Sequence, residues 1–378
     1  MPQDTSNPQR FDREIINKAQ HITILIPTYD RPDYIARNLN YLSQCFPLPA
    51  LRVLILDSSP NLSEEVARIA SRFPVEYYRF APTTLFAEKL LAGFRLVTTP
   101  LVAILADDDL LVPEGLYTSI DFLLTHPDYS IASGAYASLA IHEQSNLKCK
   151  PTYTQMRSLE GENPLTRLLN FYTHYGPLYY AVHRTSLMQK IYEEATQYSL
   201  QANPDHFQCH EELMIDSLQV ILGKYKKLPV YYYIREVGQS LASNRDKLSP
   251  IHFLLSPYFH PEYKRFRDIM KHYLREALRE DNSDQELEEI LDILYGTYIN
   301  SALTPDRLLE QYRNNTPFKE YFKVHKMRDL PYYFAKYRKK LQHSIKVNRN
   351  LAEADKIQQL TAIKFLKGYL QADNCIKG

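Results

Sequence analysis

Between residue 21 and about residue 140, short apolar runs alternate with segments of helical period, and this alternation narrows the choice of fold more than any other feature. The runs are 22–26, 52–56, 75–80 and 101–105, with a further strand expected at 129–139. Between them, Ile35, Leu39 and Leu42 share one face of a helix opened by Asp30 and Pro32. Ser63 is placed to cap a second helix ahead of Glu64 and Glu65, a third runs over about 85–97, and a fourth follows Pro113. Runs that are apolar on both faces belong to buried strands, and strands that alternate with helices build a mostly parallel sheet with helices on each side. Such sheets bind ligands at the carboxyl ends of their strands. Those ends carry Thr28, Tyr29 and Asp30 after the first strand, Asp57, Ser58 and Ser59 after the second, and Asp107, Asp108 and Asp109 after the fourth. Acidic and hydroxyl side chains are therefore expected to converge on one edge.

Glycine removes several ways of holding a nucleotide there. The chain has 10 glycines in 378 residues, and no two lie closer than the pair Gly368 and Gly378. A G-x-G-x-x-G dinucleotide loop, a G-x-x-x-x-G-K-[ST] phosphate loop and a G-x-S-x-G nucleophile elbow are all excluded. Charge is balanced at 45 Lys+Arg against 44 Asp+Glu, which argues against a nucleic-acid binder driven by global electrostatics. The four cysteines are scattered, with no C-x-x-C pair, so no zinc knuckle is expected and a reduced, cytoplasmic setting is. The polar first 13 residues contain no apolar leader, and no apolar run approaches the ~20 residues that span a bilayer.

The pattern loosens after residue 140. A helix is expected at 165–171, a strand at 178–183, an amphipathic helix at 211–222 and a strand at 231–234. Beyond about 250 the chain turns to long charged segments of helical period, at 263–279, 284–300, 331–347 and 351–371. The expected organisation is a loosely ordered extension over 1–20, an α/β domain over 21–250 and a helical C-terminal region over 251–378.

Three consecutive aspartates at the end of a buried strand repel one another and raise one another's pKa. A divalent cation would relieve that cost, because carboxylates are hard ligands suited to Mn2+ or Mg2+. A solvated acidic turn leading into the helix at Pro113 is the plainer alternative, and Asp57 at a neighbouring strand end favours a metal–nucleotide site.

At these residues the sequence resembles the family 2 glycosyltransferases, whose fold is GT-A. The run "ITILIPTYD" (22–30) with Arg31 and Pro32 is similar to their opening strand, "VLILDSS" (53–59) to their second, and "LADDDLLVPEGL" (105–116) to their D-x-D region. The resemblance covers about residues 21–240. It implies a nucleotide-sugar site in which Pro27, Thr28, Tyr29 and Asp30 line the base pocket, Asp57 contacts the nucleoside and Asp107 faces the ribose. It further implies that Asp108, with Asp109 near it, binds the metal. Lys89, on the helix before the fourth strand, could reach the diphosphate, but a solvated helix lysine is the commoner role of such a residue and the one expected here. Ala106 stands where many relatives carry another aspartate, which leaves open which carboxylates touch the metal.

The resemblance also implies a late acid serving as general base, here within His210-Glu211-Glu212. Glu212, Asp216 and Gln219 share one helix face, so Glu212, Glu211 and Asp216 are the candidate catalytic carboxylates, with Glu212 at the family position. The implied reaction is hexosyl transfer with inversion, from a nucleoside-diphosphate sugar (a UDP-sugar above all) to a carbohydrate or other hydroxyl acceptor, in polysaccharide biosynthesis. A sugar-nucleotide pyrophosphorylase and a non-catalytic nucleotide-sugar-binding domain are the alternatives. His174, His183, His206 and His210 are candidates to complete a metal shell, and Tyr172, Tyr175, Tyr179 and Tyr180 to line a cleft; packing is the commoner role of such residues. The stretch 331–349 carries Lys336, Arg338, Lys339, Lys340, Lys346 and Arg349 with no acid, which would suit either a solvated face or a peripheral contact with an anionic membrane.

Overall fold

The computed structural model describes residues 11–142, 146–201, 209–237, 258–278, 282–302, 353, 356–357 and 359–377. The expected loose extension is partly a helix, α1 (Arg13–Ala19), whose N-terminus is capped by Asp12 accepting from the Ile15 N–H at 2.8 Å. Ala19 at its end is buried, which ties it to the domain.

The four expected N-terminal strands form. They are β1 (Ile22–Thr28), β2 (Arg52–Asp57), β3 (Glu76–Arg79) and β4 (Leu101–Ile104), parallel and in the order β3-β2-β1-β4. Ile24, Leu25, Ile26, Leu54, Ile55 and Leu56 are all buried. Full burial of such side chains stabilises by roughly 1.5–3 kcal/mol each. Burial on both faces explains why these runs do not alternate in polarity.

The connecting helices are α2 (Pro32–Cys45), α3 (Ser63–Ala70), α4 (Phe86–Leu96) and α5 (Pro113–Thr125). Ile35, Leu39 and Leu42 are buried as the period requires. Ser63 is not the cap of α3: it is that helix's first residue, and Asp30 supplies the acceptor from across the sheet edge. One Asp30 oxygen takes the N–H groups of Leu62 at 3.0 Å and Asn61 at 3.2 Å.

The second half of the sheet is mixed rather than parallel. β4 pairs antiparallel with β8 (Val182–Arg184), β8 antiparallel with β6 (Tyr129–His142), β6 parallel with β9 (Lys224–Glu236), and β9 antiparallel with the two-residue β5 (Leu110–Leu111). β7 (Asn146–Thr152) pairs with β6 off this path. The helices of this half are α6 (Pro164–Thr173), α7 (Thr185–Gln201) and α8 (Cys209–Leu222). The sequence reading did not anticipate α7, whose core face of Met188, Ile191, Tyr192, Ala195 and Tyr198 uses tyrosine and alanine where aliphatic residues would have marked the stripe. Helix α5 lies directly on β9: a Cβ on Gly115 would stand 2.2 Å from the Tyr231 carbonyl oxygen, so only glycine fits.

The described C-terminal elements are α9 (Phe259–Leu278), α10 (Asp284–Ala302) and α11 (Thr361–Lys377). Phe266, Met270, Leu291, Ile357 and Ile363 join the same apolar cluster as the sheet. Between α8 and α9 the His210 ring stacks on Phe266 at 5.3 Å, and its Nε2 bonds the Tyr295 hydroxyl at 2.8 Å. The basic stretch 331–349 lies outside the described residues. No described helix is long and apolar enough to cross a membrane.

Candidate active site

Parallel pairing brings the strand ends together. Thr28 stands opposite Asp57 in the β1–β2 register, and β4 delivers the triple aspartate on the other side of β1. A cleft of about 430 Å³ opens at this edge. Pro27, Thr28, Tyr29, Lys89, Asp107, Asp108 and Asp109 line it.

The aspartate turn is held from α2. The Asn38 side-chain amide donates to the carbonyls of Ala106, Asp107 and Asp109 at 3.2–3.3 Å, and Arg37 Nη2 donates to that of Asp108 at 2.7 Å. The other Arg37 amine pairs with Glu236 at 2.7 Å, and the Glu236 N–H donates to Asp109 Oδ1 at 2.8 Å. The short β5–β9 ladder thus fastens the turn from the opposite side. Asp109, so engaged, is a positioning residue of the turn as much as a wall of the cleft, and burial, then the neighbouring Asp108 charge, raises its carboxyl well above the usual range.

Asp107 and Asp108 face a single guanidinium. Arg31 Nη1 reaches Asp107 Oδ1 at 2.7 Å, and Nη2 reaches Asp108 Oδ2 at 2.9 Å. The Thr28 hydroxyl donates to the second oxygen of Asp107 at 2.8 Å. Burial pushes the Asp107 carboxyl up to about 6, and the Arg31 charge opposes that rise without cancelling it.

Lys89 is not a solvated helix lysine. It is 4% exposed, and its ammonium donates to Ser58 Oγ at 2.8 Å and to the Thr28 carbonyl at 3.2 Å, on the cleft wall. Burial lowers its pKa to about 8, against the pull of Asp57 and Asp107. Asp57 lies beneath that wall, fully buried, accepting from the Ser59 N–H at 2.8 Å, from the Ser59 hydroxyl, and from the Tyr77 hydroxyl at 2.7 Å. Asp30 is not among the lining residues. Its φ of 52° turns the chain away, and its carboxylate serves the start of α3 instead.

The three candidate base carboxylates separate by environment. Glu211 is buried and accepts from Ser199 Oγ at 2.7 Å. Asp216 is fully buried; the Tyr175 hydroxyl and the N–H groups of Leu178 and Tyr179 face it, short of good hydrogen-bond geometry. Burial, then Glu212, holds its carboxyl well above the usual range. Glu212 alone is exposed, at the start of α8. Its charge, after burial, is among those that raise the hydroxyls of Tyr179 and Tyr180, which line the cleft.

Burial likewise pushes Glu211 up to about 7. The folded state then holds that proton more tightly than the unfolded chain, so stability falls as pH rises from about 4.5 to about 7. Glu211→Gln, which never ionises, should lack this loss. In urea unfolding the variant should gain on wild type by on the order of 1–3 kcal/mol between pH 4.5 and 7.5, at ~1.4 kcal/mol per pKa unit. Parallel pH profiles would show that Glu211 ionises alike in the folded and unfolded chain.

Among the described histidines none reaches the cleft. His183 is fully buried with Nε2 on the Leu178 carbonyl at 3.1 Å, His174 ends α6, and His210 packs as above; His206 lies outside the described residues. Tyr172 and Tyr175 pack against Tyr298 at 5.6 and 5.2 Å. Arg31, Arg37, Asn38, Tyr77, Arg235 and Glu236 are the site residues that sequence reasoning missed. Arg37 and Asn38 left one trace, two polar residues directly beside Leu39 on the buried side of α2.

The residues present fit a divalent cation. The Arg31 guanidinium is a cation standing where the Asp107 and Asp108 oxygens converge, and those oxygens are hard donors. No group of three metal-ligating side chains occurs among the described residues. An ion there would rely on two carboxylates plus phosphate and water oxygens, the usual habit of Mg2+.

Residues 23–194 match the model of glycosyl transferase family 2. Among solved structures the chain is similar to S. aureus TarS, at 14% identity over 78% of this chain and 46% of that one, with a TM-score of 0.46. It is similar to TarS 1-349 in complex with UDP-GlcNAc at 15% identity over 77% of each chain, TM-score 0.48, and to the UDP complex over the same shares, TM-score 0.45. The chain thus spans less than half the length of TarS itself. No curated protein matches it.

Proposed function

We propose that the protein transfers a sugar from a nucleoside-diphosphate donor, a UDP-sugar, to a hydroxyl acceptor, with inversion at the anomeric carbon. The observation that carries this reading is the convergence of Thr28, Lys89 and Asp107–Asp109 on one cleft within the residues that match family 2. Pro27, Thr28 and Tyr29 would bound the nucleoside, with Asp57 fixing the wall behind it through Ser59 and Tyr77. Lys89 and Arg235, both lining the cleft, would take charge from the diphosphate. Asp107 and Asp108 would hold Mn2+ or Mg2+, which supplies electrophilic stabilisation to a departing diphosphate. Glu212 would accept the proton of the acceptor hydroxyl as it attacks from the face opposite the leaving group. Polysaccharide is the acceptor class that the family resemblance suggests.

A pyrophosphorylase reading is weaker, because residues 27–34, of which Pro27, Thr28, Tyr29 and Arg31 line the cleft, contain no glycine with which to wrap a triphosphate. A purely binding role sits poorly with the retained acids. Incubating the protein with UDP-sugars and Mn2+ separates the readings. Free UDP and a glycosylated acceptor are expected. Formation of UTP from pyrophosphate, or binding without turnover, would replace the proposal with one of the alternatives.

A further inference from the structure

One cation in the cleft occupies the place that a divalent ion would need. Arg31 forks across Asp107 and Asp108 at 2.7 and 2.9 Å, with its guanidinium over the Tyr34 ring at 4.1 Å. The pair is largely buried, with 15% of the Arg31 side chain exposed against 5% and 9% for the two aspartates, so its attraction is little screened. A metal ion bound through those oxygens and this guanidinium cannot occupy the same point. Yet Arg31 sits immediately before α2 and itself lines the cleft, so a guanidinium displaced from the aspartates remains beside any diphosphate held there. Its planar fork suits phosphate oxygens as well as carboxylates.

We propose that Arg31 is an exchangeable counter-ion. Without nucleotide it neutralises Asp107 and Asp108 and keeps divalent metal out; when the donor arrives with its metal, Arg31 moves from the carboxylates to the diphosphate. Metal and nucleotide then bind synergistically, and by linkage each raises the affinity of the other by the same factor. The proposal rests on the nucleotide-sugar reading of the cleft. It makes Arg31 a positioning residue, set against the metal in the free protein and beside it in the complex.

The test is Mn2+ binding by the nucleotide-free protein, followed by electron paramagnetic resonance or calorimetry. Arg31→Gln, which keeps hydrogen-bonding capacity and loses the charge, is expected to bind Mn2+ more tightly than wild type by about 5- to 150-fold, the usual span of such couplings. Arg31→Lys, which keeps a charge without the fork, is expected to fall between the two, and carries the comparison if Arg31→Gln fails to fold. The gain in UDP affinity on adding Mn2+ should shrink in Arg31→Gln. Loss of the extra Mn2+ affinity in Arg31→Gln/Asp108→Ala would locate the ion at these carboxylates. Equal or weaker Mn2+ binding by both Arg31 variants overturns the exchange. UDP binding by wild type is read separately: its absence with and without Mn2+ overturns the nucleotide reading, whereas UDP binding without any Arg31 effect on Mn2+ overturns only the exchange.

Discussion

Glu212→Gln is expected to bind UDP as wild type does and to transfer sugar 10²–10⁴-fold more slowly, the usual contribution of a positioned general base. The amide keeps the shape and hydrogen-bonding capacity of the side chain and cannot take a proton. Donor binding draws on strand ends and α4, so it should not register the change. The neighbouring carboxylates are controls with opposite expectations. Glu211 is buried against Ser199 and Asp216 is fully buried, so neither side chain is open to an acceptor. Glu211→Gln and Asp216→Asn should therefore transfer sugar within a fewfold of wild type. Steady-state rates with all three variants decide the matter. A crippled Asp216→Asn beside an active Glu212→Gln would move the base one turn along α8. Normal transfer by all three would remove the base from that helix.

Asp108→Ala is expected to reduce turnover by about 10³-fold, the upper range for losing one element of charge stabilisation at a leaving group, and to abolish the dependence of UDP binding on Mn2+. The fold should survive, because the turn is held through backbone: Arg37 grips the Asp108 carbonyl and Asn38 three others. Among the described residues only the ion pair with Arg31 is lost from this side chain, and Thr28 still orders Asp107. Circular dichroism and Tm check the fold, calorimetry the binding, and UDP release the turnover. Wild-type activity that persists in EDTA, or in the variant, would take the metal out of the reaction.

The parallel half of the sheet was legible because local chemistry and global position agree there. Strands β1, β2 and β4 are buried on both faces, so their apolar runs announce them, and polar residues appear only where the strands emerge. The ends of those strands border the cleft, which is why strand-end polarity pointed to Thr28 and Asp107–Asp109 at its edge and to Asp57 beneath its wall. The antiparallel half was only partly legible. β5 has two residues and exists because β9 is there to pair with it, and the core face of α7 is tyrosine-rich.

Charge partners were the least legible of all, since an ion pair depends on where two distant residues meet. Arg31 lies 76 positions from Asp107 and Arg37 lies 199 from Glu236, and nothing local marks either pair. The same holds for roles decided by burial. Lys89 has the sequence environment of a surface lysine, and packing of α4 on the sheet put it at 4% exposure between Ser58 and Thr28. Glu211 and Glu212 are adjacent and chemically alike, yet one was buried and the other left at the surface. The sequence by itself determined the layered α/β fold and the edge at which acids gather, because periodicity and strand-end polarity are local properties. Tertiary structure alone decided which acid is free, which is capped and which is paired, because desolvation and Coulomb attraction depend on neighbours that the chain brings together only when it folds.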